Sequence, residues 1–292
     1  MSGVERANLL VTGASGQIGQ AVCRLLQVHR RAFVATDVES DSGVLACDLR
    51  DHAAMARLLE KNSIGGVIHL ASVLPTAFHK DPLTAVDVNL GGTFELLRQS
   101  VKYRISRFVF ASSMSVFGTS FDRRPRNEND PAVPADPYGA AKRVVEVIGD
   151  NLARSQSIEF VALRIARVVG PGARRTSSPW RSQIFEERGG KALISIPFAA
   201  DAYLSVVHVD DVAQELLTLI DAPRPTFNIY NTPAETFQAS VLRQLLEEVR
   251  GLRVELALEN RDGGPLCDGR RFAKEFNFIP KTLKDRLLEL DG

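Results

Sequence analysis

The chain has 292 residues, of which 45% are hydrophobic and 24% are charged, and its formal net charge is +1. This balance is typical of a globular protein with a sizeable core, long enough for one large α/β domain or for such a domain plus a smaller lobe. The near-neutral charge, without long basic or acidic blocks, argues against nucleic acid and membrane surfaces as partners.

The cysteines, the N-terminal segment and the length of the apolar runs indicate the cellular compartment of the protein. Cys23, Cys47 and Cys267 are far apart and match no disulfide or zinc spacing, so we predict no metal site and a reducing environment. The first predicted strand begins within ten residues of Met1, which leaves no room for a signal peptide, and no apolar run is long enough to span a bilayer. We therefore expect a cytoplasmic protein.

Short apolar segments alternate with helical patterns through the first half of the chain. Helical periodicity is present near 17–28, 51–61, 82–102 and 137–155. The strand candidates are nearly all apolar, which predicts a parallel sheet covered by helices on both faces. They are NLLVT (8–12), AFVAT (32–36), VLACD (44–48), GVIHLAS (66–72), RFVFASS (107–113) and EFVALRI (159–165).

Before the helical pattern at 137–155, a Pro- and charge-rich segment at 121–137 predicts a long loop. The alternation of strands and helices becomes less regular after about residue 166, where a further loop precedes a helix expected near 180–188. The predicted fold class is α/β, a Rossmann doubly wound parallel sheet with a smaller C-terminal α+β substrate lobe. We assign 1–166 to the dinucleotide-binding domain and 167–292 mostly to the substrate lobe, with about 204–230 returning to the first domain.

A glycine loop follows the first predicted strand, in LLVTGASGQIGQAV. Gly13 allows a tight turn, Gly16 allows backbone to approach a pyrophosphate, and Gly19 lets the next helix pack on the strand. The pyrophosphate would lie at the helix N-terminus, where free N–H groups favour anions. Glycines also mark ordinary turns, and the strand–loop–helix context is what favours a dinucleotide site.

The second predicted strand ends at Asp37, 18 residues after Gly19. A carboxylate at this position accepts hydrogen bonds from ribose hydroxyls and repels a 2′-phosphate, so it favours NAD over NADP. Arg30 and Arg31 precede the strand and are poorly placed to reverse that preference. The alternative is a solvated aspartate in the acidic run DVESD.

Tyr138 and Lys142 stand four residues apart on a predicted helix, so their side chains share one face. A lysine cation near a phenol favours the phenolate, which makes the tyrosine able to move a proton near neutral pH. The strand end FASSMSVFG supplies serine hydroxyls, Ser112, Ser113 and Ser115, that can hold a substrate oxygen. The alternative is an exposed Tyr–Lys pair that stabilises the helix slightly.

The order of these motifs resembles the extended short-chain dehydrogenase/reductases, also described as the NAD-dependent epimerase/dehydratase family. The resemblance covers nearly the whole chain and rests on TGASGQIG, CDLRD, HLAS, VNLGGTFELL, FASSMSVFG, YGAAK, LRIARVVGPG and VHVDDVA, in that order. It implies that Tyr138 is the general acid/base, that Lys142 tunes it and holds the nicotinamide ribose, and that Ser113, 25 residues earlier, binds the reacting oxygen.

The same resemblance implies a wider set of cofactor-binding residues and an assembly. Besides the three glycines, Asp37, Tyr138 and Lys142, the cofactor set comprises Ser15, Gln17, Ile18, Asp48, Leu49, Leu70, Ala71, Ser72, Asn89, Ala111, Ser112, Ile165 and Val168. It also implies a homodimer built from the helix after Asp87 and the helix carrying Tyr138. We expect the exposed faces of these helices to include Phe94, Leu97, Val144 and Val147.

Three departures from the family pattern narrow the chemistry. Met114 and Ser115 stand where the family's dehydratases have an Asp-Glu pair, which argues against a sugar dehydratase. Arg167 stands where nucleotide-sugar epimerases usually have Asn, and AYLSVVHVDD lacks their Arg-Asp pair. These segments resemble the branch of short-chain threonine dehydrogenases more closely.

The candidate substrate loop is basic. Guanidinium groups suit a carboxylate or a phosphate, although some of these arginines can equally be solvated loop residues. Arg261 is a weaker candidate for a diphosphate contact. The predicted substrate-binding residues are Ser113, Ser115, Tyr138, Arg167, Arg174, Arg175, Thr176, Trp180 and Arg181.

The sequence therefore favours an NAD-dependent oxidoreductase that transfers hydride at a secondary alcohol or ketone of a small anionic substrate, a sugar acid or hydroxy acid. One alternative is a nucleotide-diphosphate-sugar 4-epimerase or reductase, which uses the same hydride step. Another is a catalytically silent dinucleotide-binding sensor, against which the complete Ser113, Tyr138 and Lys142 set argues.

Overall fold

The computed structural model describes residues 7–119, 123–173, 178–186 and 193–291. A seven-stranded sheet runs in the order β10-β6-β5-β4-β1-β2-β3. Pairing of β1 with β2 and β4, of β2 with β3, and of β4 with β5 is parallel. The strands are β1 (Asn8–Thr12), β2 (Phe33–Asp37), β3 (Val44–Ala46), β4 (Ile64–His69), β5 (Arg107–Ser113), β6 (Glu159–Ile165) and β10 (Ile229–Asn231).

This order places β1 and β4 side by side at the point where the direction of winding reverses, which is where doubly wound folds bind ligands. The predicted Rossmann fold class is confirmed, and the six predicted strands all form. The helices along this part of the chain are α1 (Gln17–Val28), α2 (His52–Lys61), α3 (Pro75–Lys80), α4 (Pro82–Val86), α5 (Thr93–Lys102), α6 (Pro137–Ser155) and α8 (Val209–Asp221).

The helix predicted at 82–102 is divided. Asp81 caps α4 by accepting from Thr84 N at 3.1 Å, with Pro82 at the first helical position, and a π-helical turn at Asp87–Gly92 separates α4 from α5. Gly92 lies so close to Leu49 that a Cβ there would be 2.5 Å from the leucine Cβ. The wider turn places Asn89 inside the fold, on a segment that the sequence pattern predicts as regular helix.

The chain divides into two compact units. The first comprises 1–112, 137–163 and 213–229. Its core is built from apolar residues of the strands and of α2, α5 and α6, with Phe108, Phe110 and Phe160 stacked at its centre. Leu97 belongs to this core at 1% exposure, and Phe94 packs against it, so the expectation that Leu97 lies on an exposed helix face is wrong. Val144 and Val147 are exposed as expected.

The second unit comprises 113–136, 164–212 and 230–292. It contains a three-stranded sheet, β11-β9-β7, and a two-stranded sheet, β12-β8. Its strands are β7 (Arg167–Val169), β8 (Leu193–Ile196), β9 (Tyr203–His208), β11 (Glu235–Gln238) and β12 (Arg253–Leu256). Its helices are α7 (Trp180–Glu186), α9 (Ala239–Arg250), α10 (Arg270–Phe276) and α11 (Leu283–Leu288).

The described residues give three further facts. No helix among them is both long enough and apolar enough to cross a membrane. No group of three His, Cys, Asp or Glu side chains among them is arranged to hold a metal ion. The cysteines Cys23, Cys47 and Cys267 are free thiols.

Candidate functional site

The glycine loop after β1 is shaped by close backbone approaches. Gly13 has φ of +69°, and a Cβ there would lie 2.6 Å from the backbone nitrogen of Ala71, directly beyond β4. A Cβ at Gly19 would lie 2.2 Å from the carbonyl oxygen of Gly13. Only glycine fits at either position, so the loop and the start of α1 are held tightly against the carboxyl ends of β1 and β4.

The N-terminus of α1 suits an anionic group. Gly16 is the N-cap residue, no side chain caps the helix, and its first turn has no acidic residue. The hydroxyl of Ser15 is buried and has no hydrogen-bond partner among the described residues. A buried hydroxyl without a partner, beside the open end of a helix, fits the pyrophosphate of a dinucleotide. Gln17 and Ile18 begin the helix, and both are half-buried.

Asp37 connects β2 to the glycine loop. Its Oδ2 accepts from Ser15 N at 2.9 Å, and its Oδ1 accepts from Val38 N at 2.7 Å. The carboxylate is therefore fixed beside the loop by two backbone donors while its remaining lone pairs stay available. This position is compatible with the ribose contact predicted from the sequence.

A buried hydrogen-bonded chain crosses the sheet behind the loop, and the sequence analysis did not identify it. His69 is fully buried, with Thr12 Oγ1 at 2.6 Å from Nδ1 and Thr93 Oγ1 at 2.9 Å from Nε2. Burial lowers the pKa of His69 to about 3, and the nearby Lys142 cation adds to the decrease. His69 is therefore neutral and links β1, β4 and α5. No local sequence pattern signals this link, because Thr12 and Thr93 lie 57 and 24 residues from His69 along the chain.

The segment after β4 is held by Asn89. The side-chain oxygen of Asn89 accepts from Val73 N at 2.7 Å, and its amide nitrogen donates to Val73 O at 2.9 Å. This two-point contact fixes the backbone that contains Leu70, Ala71 and Ser72. Asn89 thus supports the predicted cofactor-lining segment from the π-helical turn.

Tyr138 and Lys142 are both buried, with 9% and 4% exposure, and share one face of α6. Lys142 Nζ donates to Ala111 O at 2.8 Å and lies 5.5 Å from the centre of the Tyr138 ring. Burial lowers the pKa of Lys142 to about 7, and the charge of Glu146 partly opposes that decrease. This pair is not a solvated pair on a helix surface.

The serines at the end of β5 take different partners. Ser112 is buried, and its hydroxyl donates to Glu146 Oε1 at 2.6 Å. Ser113 Oγ accepts from Ser115 N at 3.1 Å and donates to Ser115 Oγ at 3.1 Å, so it caps the turn at Met114–Phe117. Ser113 is half-buried, and its hydroxyl is fixed in direction by this turn.

The other predicted cofactor residues occupy varied surroundings. Asp48 pairs with Arg50, whose hydrogen bond lowers the pKa of that carboxyl, and Leu49 is buried in the core of the first unit. In the second unit, Ile165 is buried and Val168 is half-buried on β7.

Two of the predicted substrate-loop arginines are described, and both belong to the second unit. Arg167 donates to Gly263 O at 3.0 Å, and its guanidinium lies 4.8 Å from the centre of the Phe198 ring. Burial lowers the pKa of Arg167 to about 10, and the neighbouring Arg181 adds to the decrease. Burial likewise lowers the pKa of Arg181. Both side chains are half-buried, and the positive charge of Arg181 acts on Arg167.

Other predicted substrate contacts are placed differently. Trp180 is buried at 1% exposure in the core of the second unit, which gives it a packing position. Arg261 is exposed, and its Nε donates to both carboxylate oxygens of Asp201, at 3.2 and 3.1 Å. Arg174, Arg175 and Thr176 lie outside the described residues.

The chain matches the sequence model of a known protein family over most of its length. A model of the NAD dependent epimerase/dehydratase family matches residues 9–232. The chain belongs to this family. It is an NAD-dependent enzyme of the extended short-chain dehydrogenase/reductase type, which confirms the predicted family and cofactor.

Members and structural neighbours of the epimerase/dehydratase family are similar over nearly the whole chain. An uncharacterized epimerase/dehydratase of Staphylococcus haemolyticus is 27% identical over 262 residues, covering 82% of this chain and 80% of the relative. The L-threonine dehydrogenase of Phytophthora infestans superposes with a TM-score of 0.87 at 23% identity, covering 97% of both chains. The UDP-glucose 4-epimerase of Thermus thermophilus, in complex with NAD, superposes with a TM-score of 0.81 at 21% identity, covering 97% of this chain and 98% of the other. Both superpositions establish the fold.

Proposed function

We propose that this enzyme transfers hydride between NAD and the carbon of a secondary alcohol or ketone on a small anionic substrate, such as a sugar acid or hydroxy acid. The observation that carries the proposal is the buried Tyr138–Lys142 pair on α6. A phenol and an ammonium placed together out of water form a proton-transfer group rather than a surface ion pair.

Tyr138 exchanges a proton with the substrate hydroxyl oxygen, and Lys142 favours the phenolate through its positive charge. NAD, when bound, accepts or returns the hydride. The Ala111 carbonyl holds the Lys142 nitrogen in place at 2.8 Å. Ser113, whose hydroxyl has a direction set by its own turn, is assigned to the reacting oxygen on the strength of the family resemblance.

The anionic substrate class rests on Arg167 and Arg181. Both side chains are half-buried, and burial lowers the pKa of each guanidinium group. The positive charge of Arg181 lowers the pKa of Arg167 further, whereas the carboxylate of Asp262 raises it. A substrate carboxylate or phosphate would accept charge-assisted hydrogen bonds from these groups.

We also propose a homodimer that pairs through α6. The sequence analysis predicted the helix after Asp87 as the second element, but Leu97 on that helix is buried, and we propose α4 in its place. Val144 and Val147 on α6 are 41% and 51% exposed, and Ile148 beside them is 38% exposed. Leu83 and Val86 on α4 are 78% and 39% exposed. Exposed apolar side chains on helices are typical of self-associating surfaces. Sedimentation at micromolar concentration tests this, and a monomeric mass contradicts it.

The reaction is tested by following NADH absorbance with a panel of hydroxy acids, sugar acids, their neutral amides and nucleotide sugars. We expect net NADH formation with an acidic member of the panel. Tyr138→Phe should lower that rate by at least about a hundredfold, since general acid–base catalysis typically contributes that much. Tyr103→Phe, at the end of α5, is the matched control and should leave the rate unchanged.

Two other results would replace the proposal. Conversion of a nucleotide sugar without net NADH formation identifies an epimerase, because an epimerase regenerates its cofactor at each turnover. NAD binding without turnover of any panel member, with a binding curve that Tyr138→Phe leaves unchanged, supports a dinucleotide sensor.

A further inference from the structure

A buried carboxylate lies one turn beyond Lys142 on α6. Glu146 is 0% exposed, and the spacing of four residues places it on the same helix face as Lys142. Ser112 Oγ donates to Glu146 Oε1 at 2.6 Å, and Arg143 Nη1 donates to Glu146 Oε2 at 3.0 Å. The site described above assigns no role to this group.

The two buried side chains of α6 contact consecutive residues of β5. Lys142 Nζ bonds the carbonyl oxygen of Ala111, and Glu146 bonds the hydroxyl of Ser112. This two-point contact fixes the rotation of α6 about its axis and its position along β5. The Lys142 ammonium is placed by the pair of contacts, since neither contact alone would set both.

Stability alone does not account for a carboxylate in this position. Burying a charge costs several kcal/mol, and replacing a buried ion pair by apolar residues is often neutral or stabilising. Arg143, the cationic partner, has 36% of its side chain exposed, so solvent screens its charge more than that of Glu146. The charge of Glu146 acts on Lys142, whose pKa it raises.

We propose that Glu146 is a positioning residue that keeps the Lys142 side chain charged and fixed against β5. Among the described residues, the groups that face Lys142 include the neutral His69 from β4, the Phe110 ring and Ala111 carbonyl from β5, and Tyr138 on its own helix. Burial lowers the pKa of Lys142 to about 7, and Glu146 is the group that opposes this decrease.

The charge state of Lys142 can be measured without substrate or cofactor. Lysine labelled with ¹³C at Cε reports ionisation through its chemical shift, and the Lys142 resonance is assigned by its loss in Lys142→Arg. We expect Glu146→Gln, which keeps shape and hydrogen bonding but removes the charge, to lower the Lys142 titration midpoint by about one pH unit or more. A midpoint equal to that of the wild type overturns the proposal.

Two variants separate the local charge from general effects. Asp150→Asn removes an equal charge one turn farther along α6 and should leave the Lys142 midpoint within the error of the measurement. If Glu146→Gln does not fold, Arg143→Gln provides the second test. It removes the cation that offsets Glu146, so the Lys142 midpoint should rise, and an unchanged midpoint overturns the proposal.

The catalytic consequence rests on the proposed function, whereas the titration does not. In active protein, Glu146→Gln should lower kcat and move the alkaline limb of the pH profile to lower pH. A role confined to packing would lower the folded fraction and leave the shape of that profile intact. Full turnover by Tyr138→Phe would refute the proposed function but leave the Lys142–Glu146 coupling standing.

Discussion

The carboxylate of Asp37 accepts a hydrogen bond from the backbone N–H of Ser15 at 2.9 Å. One side chain at the end of β2 therefore touches the glycine loop at the end of β1. Its second oxygen accepts from Val38 N, so the carboxylate cannot swing away without losing both backbone donors. A negative charge is held beside the loop before any ligand arrives.

Asp37→Asn should weaken NAD binding by roughly ten- to a hundredfold, the usual effect of losing a charge-assisted hydrogen bond. The preference for NAD over NADP should narrow at the same time, because the repulsion of a 2′-phosphate is lost. Isothermal titration of both dinucleotides measures the two effects. Asp41→Asn, an exposed acidic neighbour, is the control, and an equal loss in that variant would contradict a specific ribose contact.

Gly19→Ala should destabilise the protein, because the new Cβ would meet backbone atoms of Gly13 and Ala14 at 2.2 to 2.8 Å. These backbone atoms cannot move aside without distorting the glycine loop, so we expect a loss of about 1–3 kcal/mol or more in the free energy of unfolding. Gly91→Ala is the matched control, since its Cβ would meet nothing within 4 Å. That variant should be neutral or slightly stabilising in a urea titration, and similar losses in both would refute the packing argument.

Those elements of the fold that depend on local pattern were predictable from the sequence. The alternation of apolar strands with helices predicted the doubly wound sheet, and the bounds of β1, β5, β6, α1 and α6 match the predicted segments. Gly13, Asp37, Tyr138 and Lys142 were predicted as site residues because their chemistry depends on spacing along the chain, and that assignment stays a prediction. The helix predicted at 82–102 is instead divided by the π-helical turn at Asp87–Gly92, where Gly92 lies against Leu49, a residue distant in the chain that no local pattern identifies.

Buried polar groups were the part of the site that sequence reasoning missed. His69 and Glu146 belong to segments that read as ordinary strand and helix. Their roles arise from partners distant in the chain, Thr12 and Thr93 for the histidine and Ser112 for the carboxylate. Trp180 was interpreted as a loop residue near substrate, but its large apolar surface is buried in the core of the second unit.

Lys142→Met should stabilise the protein most at or below neutral pH. Burial lowers the folded-state pKa of Lys142 from 10.5 to about 7, so the unfolded chain binds more protons than the folded chain between these values. The stability of the wild type therefore rises with pH across this window, and its deficit relative to Lys142→Met narrows by roughly 1–3 kcal/mol between about pH 7 and 9.

Urea titrations of both proteins across that pH range measure the narrowing. Lys102→Met, at the exposed end of α5, should show a difference from the wild type that does not depend on pH. If the difference in free energy of unfolding between Lys142→Met and the wild type also stays constant with pH, burial does not lower the pKa of Lys142.

The last prediction tests the anionic substrate class through Arg167, whose guanidinium lies over Phe198 and donates to Gly263 O. Arg167→Met keeps an unbranched side chain against the ring and removes the charge. If Arg167 binds an anionic group on the substrate, kcat/KM should fall by roughly ten- to a hundredfold, as one lost charge-assisted hydrogen bond implies. The fall should be much smaller for a neutral amide or methyl ester of the same substrate. NAD affinity should stay unchanged, since the glycine loop and Asp37 are untouched.

Arg253→Met, on an exposed position of β12, controls for the loss of one positive charge in the same unit. Equal losses on charged and neutral substrates would make Arg167 a structural residue, held by Gly263 and Phe198, and would remove the main support for an anionic substrate.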